Sequence, residues 1–107
     1  MKLIKAFVHR NRVPGILQAL ADQGFHRLSV LDARGTLSAV APDEQDFGLA
    51  AGDALIQEAQ IEVVCDDARV DEAIAQFDRH AGIGRATAGW IYVSDVVRVH
   101  RIGGPLP

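Results

Sequence analysis

One pattern limits the folds open to this chain: a strand-like segment, a helical stripe and a second strand-like segment occur in that order, twice. In the first half Leu3 to Val8 alternates, with Ile4, Ala6 and Val8 on one face and Leu3, Lys5 and Phe7 on the other. Asn11 is placed to cap a helix with Pro14 in its first turn, and Val13, Ile16, Leu17 and Leu20 form one apolar stripe before Gly24 stops it. Arg27 to Arg34 then alternates again. In the second half Ala59 to Cys65 reads as a strand, Asp66 and Asp67 stand where a helix would be capped, and Val70, Ala73, Ile74, Phe77 and Ala81 make the next stripe. Trp90 to Val93 opens the last strand, expected to run extended through Val96, Val97 and Val99. Two βαβ halves of this kind predict an α+β fold, a ferredoxin-like βαβ-βαβ sandwich with an antiparallel sheet and a long loop after the second strand. At 107 residues the chain has room for one core, so residues 1–107 are read as a single domain.

Two helices can cover one face of that sheet. The other face still carries apolar candidates, Leu3, Phe7, Val64, Trp90 and Tyr92, in a chain that is 49% apolar. A soluble protein with a second apolar face is expected to associate, and closed rings are the usual outcome; three copies with their sheets inward, a homotrimer, would bury it.

Between the halves, Gly35 to Gln57 sustains neither period and holds Pro42 together with Asp43, Glu44 and Asp46. Loops beyond about 12–15 residues in a compact domain are usually functional or disordered, so the segment at about 35–57 is the expected flexible part and its acidic cluster a contact for a basic partner surface. A short surface helix over Ala50 to Ala59 is the alternative. Residues 103–107 read as a C-terminal tail.

The segment from Ala81 to Ile102 carries the most suggestive chemistry. Gly82, Gly84 and Gly89 surround Arg85, and successive amides in a glycine turn form a concavity that attracts anions such as phosphate. Arg98, His100 and Arg101 follow, and guanidinium forks suit phosphate oxygens. Charges on a strand edge that discourage aggregation would look the same.

Other functions find little support. The net charge is −3 and no basic run occurs, which argues against nucleic acid as a partner. Cys65, the single cysteine, has no disulfide partner within the chain and reads as a small core residue. The opening MKLIKAFVHR lacks the apolar core of a signal peptide, and no run approaches the roughly 20 apolar residues that span a bilayer, so a cytoplasmic protein without membrane insertion is expected. Nucleophile elbow, P-loop and triad patterns are all missing, and Asp66 and Asp67 are explained by capping, so the chain is not read as an enzyme. His9, His26, His80 and His100 show no zinc-motif spacing; no metal site is assigned, with His9 and His100 the nearest candidates because they lie at strand ends that a trimer would bring together.

Taken together, MKLIKAFV, ALADQGF, RLSVLDARG, IEVVCDDARVDEAI and GWIYVSDVVRVHRI resemble the PII signal-transduction proteins over nearly the whole chain. The resemblance implies a homotrimer of ferredoxin-like subunits, adenine nucleotides bound in the clefts between them, and a long loop that docks on a target transporter or enzyme. It implies nucleotide contacts for Ser29, Gly35 and Val64, for Arg85 and the turn Thr87, Ala88 and Gly89, and for Arg101. Cofactors are not required; the nucleotide is an effector. The chain departs from the family where Trp90 replaces a phosphate-binding lysine and Gly103 a second arginine. Each lost charge-assisted hydrogen bond is worth about 1.5–3 kcal/mol, so AMP or ADP is expected in preference to ATP. The loop also lacks the family's tyrosine motif, so its nucleotidylation is not expected and the chain reads as a divergent member. The alternative is a metal-responsive protein, similar to PII-like and divalent-cation-tolerance proteins linked to heavy-metal transport.

Overall fold

A computed structural model describes residues 1–35, 45–46, 55–81 and 88–103. Strand β1 is Lys2–His9 and a single 3-10 turn, Arg10–Arg12, leads into helix α1, Val13–Asp22. Strand β2 is Leu28–Gly35, β3 the short Gln45–Asp46 and β4 the long Leu55–Cys65. A second 3-10 turn, Asp67–Arg69, precedes α2, Val70–Ala81, and β5 is Gly89–Asp95. The main strands stand in the order β2-β4-β1-β5 with every pair antiparallel, which is the ferredoxin-like arrangement.

Alternation decides which face meets the helices. In β1, Ile4, Ala6 and Val8 are 0–2% exposed, and their register partners in β4, Val63, Ile61 and Ala59, are equally buried. Ile16 and Leu20 of α1 and Ala73, Phe77 and Ala81 of α2 close over them, so both helices lie on one face of the sheet. The end of α1 is fixed by backbone geometry. Gly24 takes φ +86°, its N–H bonds to the Ala21 carbonyl, and the Phe25 N–H reaches back to the Leu20 carbonyl at 3.0 Å, the Schellman arrangement, with Phe25 buried beneath it. In α2, Asp71 and Glu72 in the first turn and Arg79 and His80 in the last each complement the helix dipole.

Four expectations change at element ends. Asn11 does not cap α1, because the 3-10 turn moves the helix start past it; the side chain that accepts there is His9, whose Nδ1 takes the Asn11 N–H at 3.5 Å. Asp66 makes no side-chain capping bond, and Asp67 pairs with the amino terminus at 2.6 Å. Strand β4 begins at Leu55 rather than Ala59, since Gln57 and Ile56 pair with Arg34 and Gly35 and β3 pairs with Ile56 and Leu55; residues 55–59 are therefore strand, not helix. Strand β5 stops at Asp95, where the Val96 N–H bonds to the Met1 carbonyl at 3.1 Å, and Val97 beyond it is fully exposed. The remainder of the segment at about 35–57, including Pro42, Asp43, Glu44 and Ala50, lies outside the described residues.

No described element covers the second face. The register puts Leu3, Phe7, Val64, Trp90 and Tyr92 on it together, as the alternation predicted, and the Phe7 and Tyr92 rings meet edge to face at 6.0 Å. The face is mixed rather than wholly apolar: Lys5 stands opposite Glu62, and Gln60 donates to the Glu62 carboxylate.

Candidate functional site

Beyond β5 the chain turns back along the end of β4. Its residues Val96, Val99, His100 and Arg101, with Arg27 and Val64, line an open cavity of about 430 Å³. Val64 is held there by the β4 ladder and by its own N–H, which bonds to the Arg27 carbonyl just before β2. Three valines supply apolar wall; two guanidiniums and one imidazole supply hydrogen-bond donors at the rim. Such a lining suits a flat apolar ring that carries an anionic tail. Arg27 and Val64 also line a second hollow of about 280 Å³, where Phe25, Cys65 and Arg69 meet. Cys65 is buried at the strand end, as read from the sequence, and burial pushes its thiol pKa up, so it stays a neutral packing group.

The residues named from the resemblance fall into two groups. Val64 and Arg101 meet in the cavity, and Ser29 lies nearby, exposed on the same sheet face opposite Glu62. Gly35, Ala88 and Gly89 lie toward the other end. Gly35 pairs with Ile56, eight residues from Val64 along β4, a separation of about 26 Å at ~3.3 Å per residue. One chain does not bring the two groups together. Arg85 and Thr87 lie outside the described residues, as do Gly82 and Gly84. His9 and His100 are likewise apart within the subunit: His9 pairs with Glu58 at one end of β4 and His100 lies by Val64 at the other.

Both glycines also have packing reasons. A Cβ on Gly89 would strike the Phe7 carbonyl, because β5 runs unusually close to β1 there. A Cβ on Gly35 would strike the carboxylate of Glu58. That side chain was missed by the sequence reading, which put position 58 at the margin of a loop; its parity with Gln60, Glu62 and Val64 is the signal that assigns it to the uncovered face. Arg27, Val96 and Val99 were also missed as cavity walls, since a segment without regular structure has no period to read. Among the described residues no group of three or more His, Cys, Asp or Glu side chains is poised for a metal.

Among the described residues the fold is a ferredoxin-like sheet with one face open and a cavity at its end. The family model described as nitrogen regulatory protein P-II matches residues 1–104. The chain is 28% identical over 102 residues to nitrogen regulatory protein P-II 1 of Methanothermobacter thermautotrophicus, covering 95% of this chain and 89% of that protein. It is also 28% identical over 102 residues to nitrogen regulatory protein P-II of Pasteurella multocida, covering 95% of this chain and 91% of that one. The chain belongs to the P-II family. Its members are signal-transduction regulators rather than enzymes.

Proposed function

We propose that this protein works as a cytoplasmic homotrimer that binds an adenine nucleotide, AMP or ADP in preference to ATP, in the clefts between subunits. Occupancy then biases the segment from Gly35 to Gln57 toward or away from a partner, a transporter or an enzyme. The observation that carries this reading is the cavity where Val64 and two further valines face Arg27 and Arg101. Adenine would rest on the valines and phosphate oxygens would take the guanidinium forks. The division of the remaining candidates, with Gly35 and Gly89 at the far end of the sheet, supports a site completed by a second copy. The preference for fewer phosphates follows from the resemblance: Trp90 and Gly103 offer no cation at two positions where the family has one. A ligand of this kind switches its protein only by binding two conformations with different affinity, so the relevant quantity is the difference between them.

Calorimetric titration of tag-free protein with AMP, ADP and ATP tests the reading. Heat with ADP is expected, and Arg101→Ala should weaken binding about 10- to 100-fold, the equivalent of one charge-assisted hydrogen bond. No heat and no thermal shift with any of the three would remove nucleotide sensing.

A further inference from the structure

Glu58 stands on the sheet face that no described helix covers, yet it is 5% exposed and its Oε2 is buried without a hydrogen-bond partner. Its carboxyl group lies on the β2 side of β4, over Gly35, so closely that a Cβ there would come within 2.8 Å of its Cδ. The glycine supplies the space that the acid fills. Gly35 and Ile56 are also the last register pair of β2 with β4, so the acid is seated where the ladder ends and where opening costs least.

The charged groups around it leave the acid to itself. From β1 the register partner is His9, whose Nδ1 takes the Asn11 N–H, and Lys5 lies two pairs further along this face, opposite Glu62. From β2 the neighbours are Ala33 and Gly35, neither of them charged. Along β4 the next residue on this face is Gln60, which donates to Glu62, and β3 adds Asp46 in register with Leu55. Arg10, Asp32 and Arg34 belong to the other face, where Arg10 pairs with Asp32 at 2.9 Å. Burial, with no charge contributing, raises the Glu58 pKa above its ordinary value of 4.5. A neutral acid tolerates such a place far better than a carboxylate does.

We propose that Glu58 is a proton-operated latch on the end of the β2–β4 ladder: as a neutral acid it stays seated over Gly35, and on ionising it swings out to water and lets the Gly35–Ile56 pair open. The chemical step is one proton lost to solvent, and the mechanical step is a side-chain rotation. Gly35 has no side chain of its own with which to hold β4, so once the acid leaves, the pair rests on backbone bonds at a strand end. Because the seated form keeps its proton to higher pH than the released form, the latch is shut below the ordinary carboxyl pKa and is lost as the pH rises through the seated one. The device does not rest on the nucleotide reading, whose cavity beside Val64 lies at the other end of β4.

Carbon-13 resonances of the Glu58 carboxyl group and amide resonances of Gly35 and Ile56, followed against pH on the full, tag-free chain, test the latch. The carboxyl carbon should titrate above 4.5, with both amides shifting at the same midpoint. Glu58→Gln, a neutral side chain of the same size, should abolish that step and hold the two amides at their acid positions. Between the ordinary and the seated pKa, hydrogen exchange at these amides should exceed that of Glu58→Gln at the same pH by up to about tenfold for each pH unit. Gly35→Ala, whose methyl takes the place of the acid, should return the carboxyl titration toward 4.5. The proposal is overturned if Glu58 titrates at its ordinary value in the parent, or if the amides do not follow it. A step that survives Glu58→Gln belongs to another group, with His9 in register across the strands, and overturns it too. So does a midpoint unmoved by Gly35→Ala.

Discussion

Gly35 and Gly89 both lack a Cβ for want of space, yet the obstacles differ in kind. At Gly89 the obstacle is the backbone of β1, the Phe7 carbonyl, which cannot move without parting two paired strands. At Gly35 it is the end of the Glu58 side chain, which can rotate away. Gly89→Ala should therefore cost more stability than Gly35→Ala, of the order of 1–3 kcal/mol for overpacking against a fixed neighbour. Urea unfolding of the two variants measures the difference. The Gly35→Ala cost should shrink when Glu58 is also changed to Ala, because the two share one contact. Glu58 carries a second expectation. Burial raises its pKa above the ordinary value of 4.5, so the folded chain holds that proton to higher pH than the unfolded chain. Stability is then undiminished below the unfolded value and falls as the pH rises from there through the folded pKa. Glu58→Gln should match the parent in acid and exceed it at neutral pH. A Tm difference that is the same at both ends would contradict this.

Arg69 shows how elements are tied in ways that no period reveals. Its guanidinium lies 4.0 Å above the Phe25 ring, gives two hydrogen bonds to the Glu72 carboxylate at 3.1 and 2.9 Å, and also donates to the Gln23 carbonyl. It thereby joins the terminal turn of α1 to the entry of α2, a planar fork fitted to several acceptors at once. Arg69→Ala should lower the Tm, and Arg69→Lys should recover part of the loss, since an ammonium can pair with Glu72 but cannot also lie flat on Phe25 and reach Gln23. Arg69 also holds the Glu72 pKa below its ordinary value through those hydrogen bonds. The stability this provides is present above the unfolded pKa and is lost as the pH falls through the folded one, so Arg69→Ala should flatten the acid side of the stability profile. From sequence, the strand cores and both helical stripes were legible because each buries one face at a fixed period, as Ile4, Ala6 and Val8 do. The 3-10 turns were not, because a single tight turn such as Arg10–Arg12 has no period and puts the accepting side chain at His9, two residues before the expected cap at Asn11. Nor was the start of β4, where Gln57 and Glu58 are strand by backbone pairing rather than by apolar alternation. Of the candidate site, Val64 and Arg101 were named from the resemblance and do meet; Arg27, Val96 and Val99 come to the cavity through the path of the chain after Asp95, which local pattern does not encode.

At the scale of the whole molecule, the uncovered face of the sheet sets the question. Trp90 and Tyr92 are 52% and 58% exposed in the isolated subunit, and Leu31 at 46% extends the same apolar row past Gln60 and Phe7. A flat face with such a row favours self-association, and the central Lys5 and Glu62 pair gives it a register, since opposed charges fit one alignment and repel in others. On the proposed trimer the protein sediments at three times its 11.5 kDa subunit mass. Trp90→Asp places a charge in that row without touching the helix-covered core, so the subunit should keep its circular dichroism spectrum while its sedimenting mass falls. The helix-side variant Ile4→Ala, cut from the core instead, should lower the Tm by removing a fully buried side chain and act on assembly only through folding. If Trp90→Asp leaves the assembly unchanged, the subunits meet through another surface. If the parent protein sediments as a single subunit, Gly35 and Gly89 have no second copy through which to join Val64 and Arg101, and a nucleotide would have to bind in the 430 Å³ cavity of one chain alone.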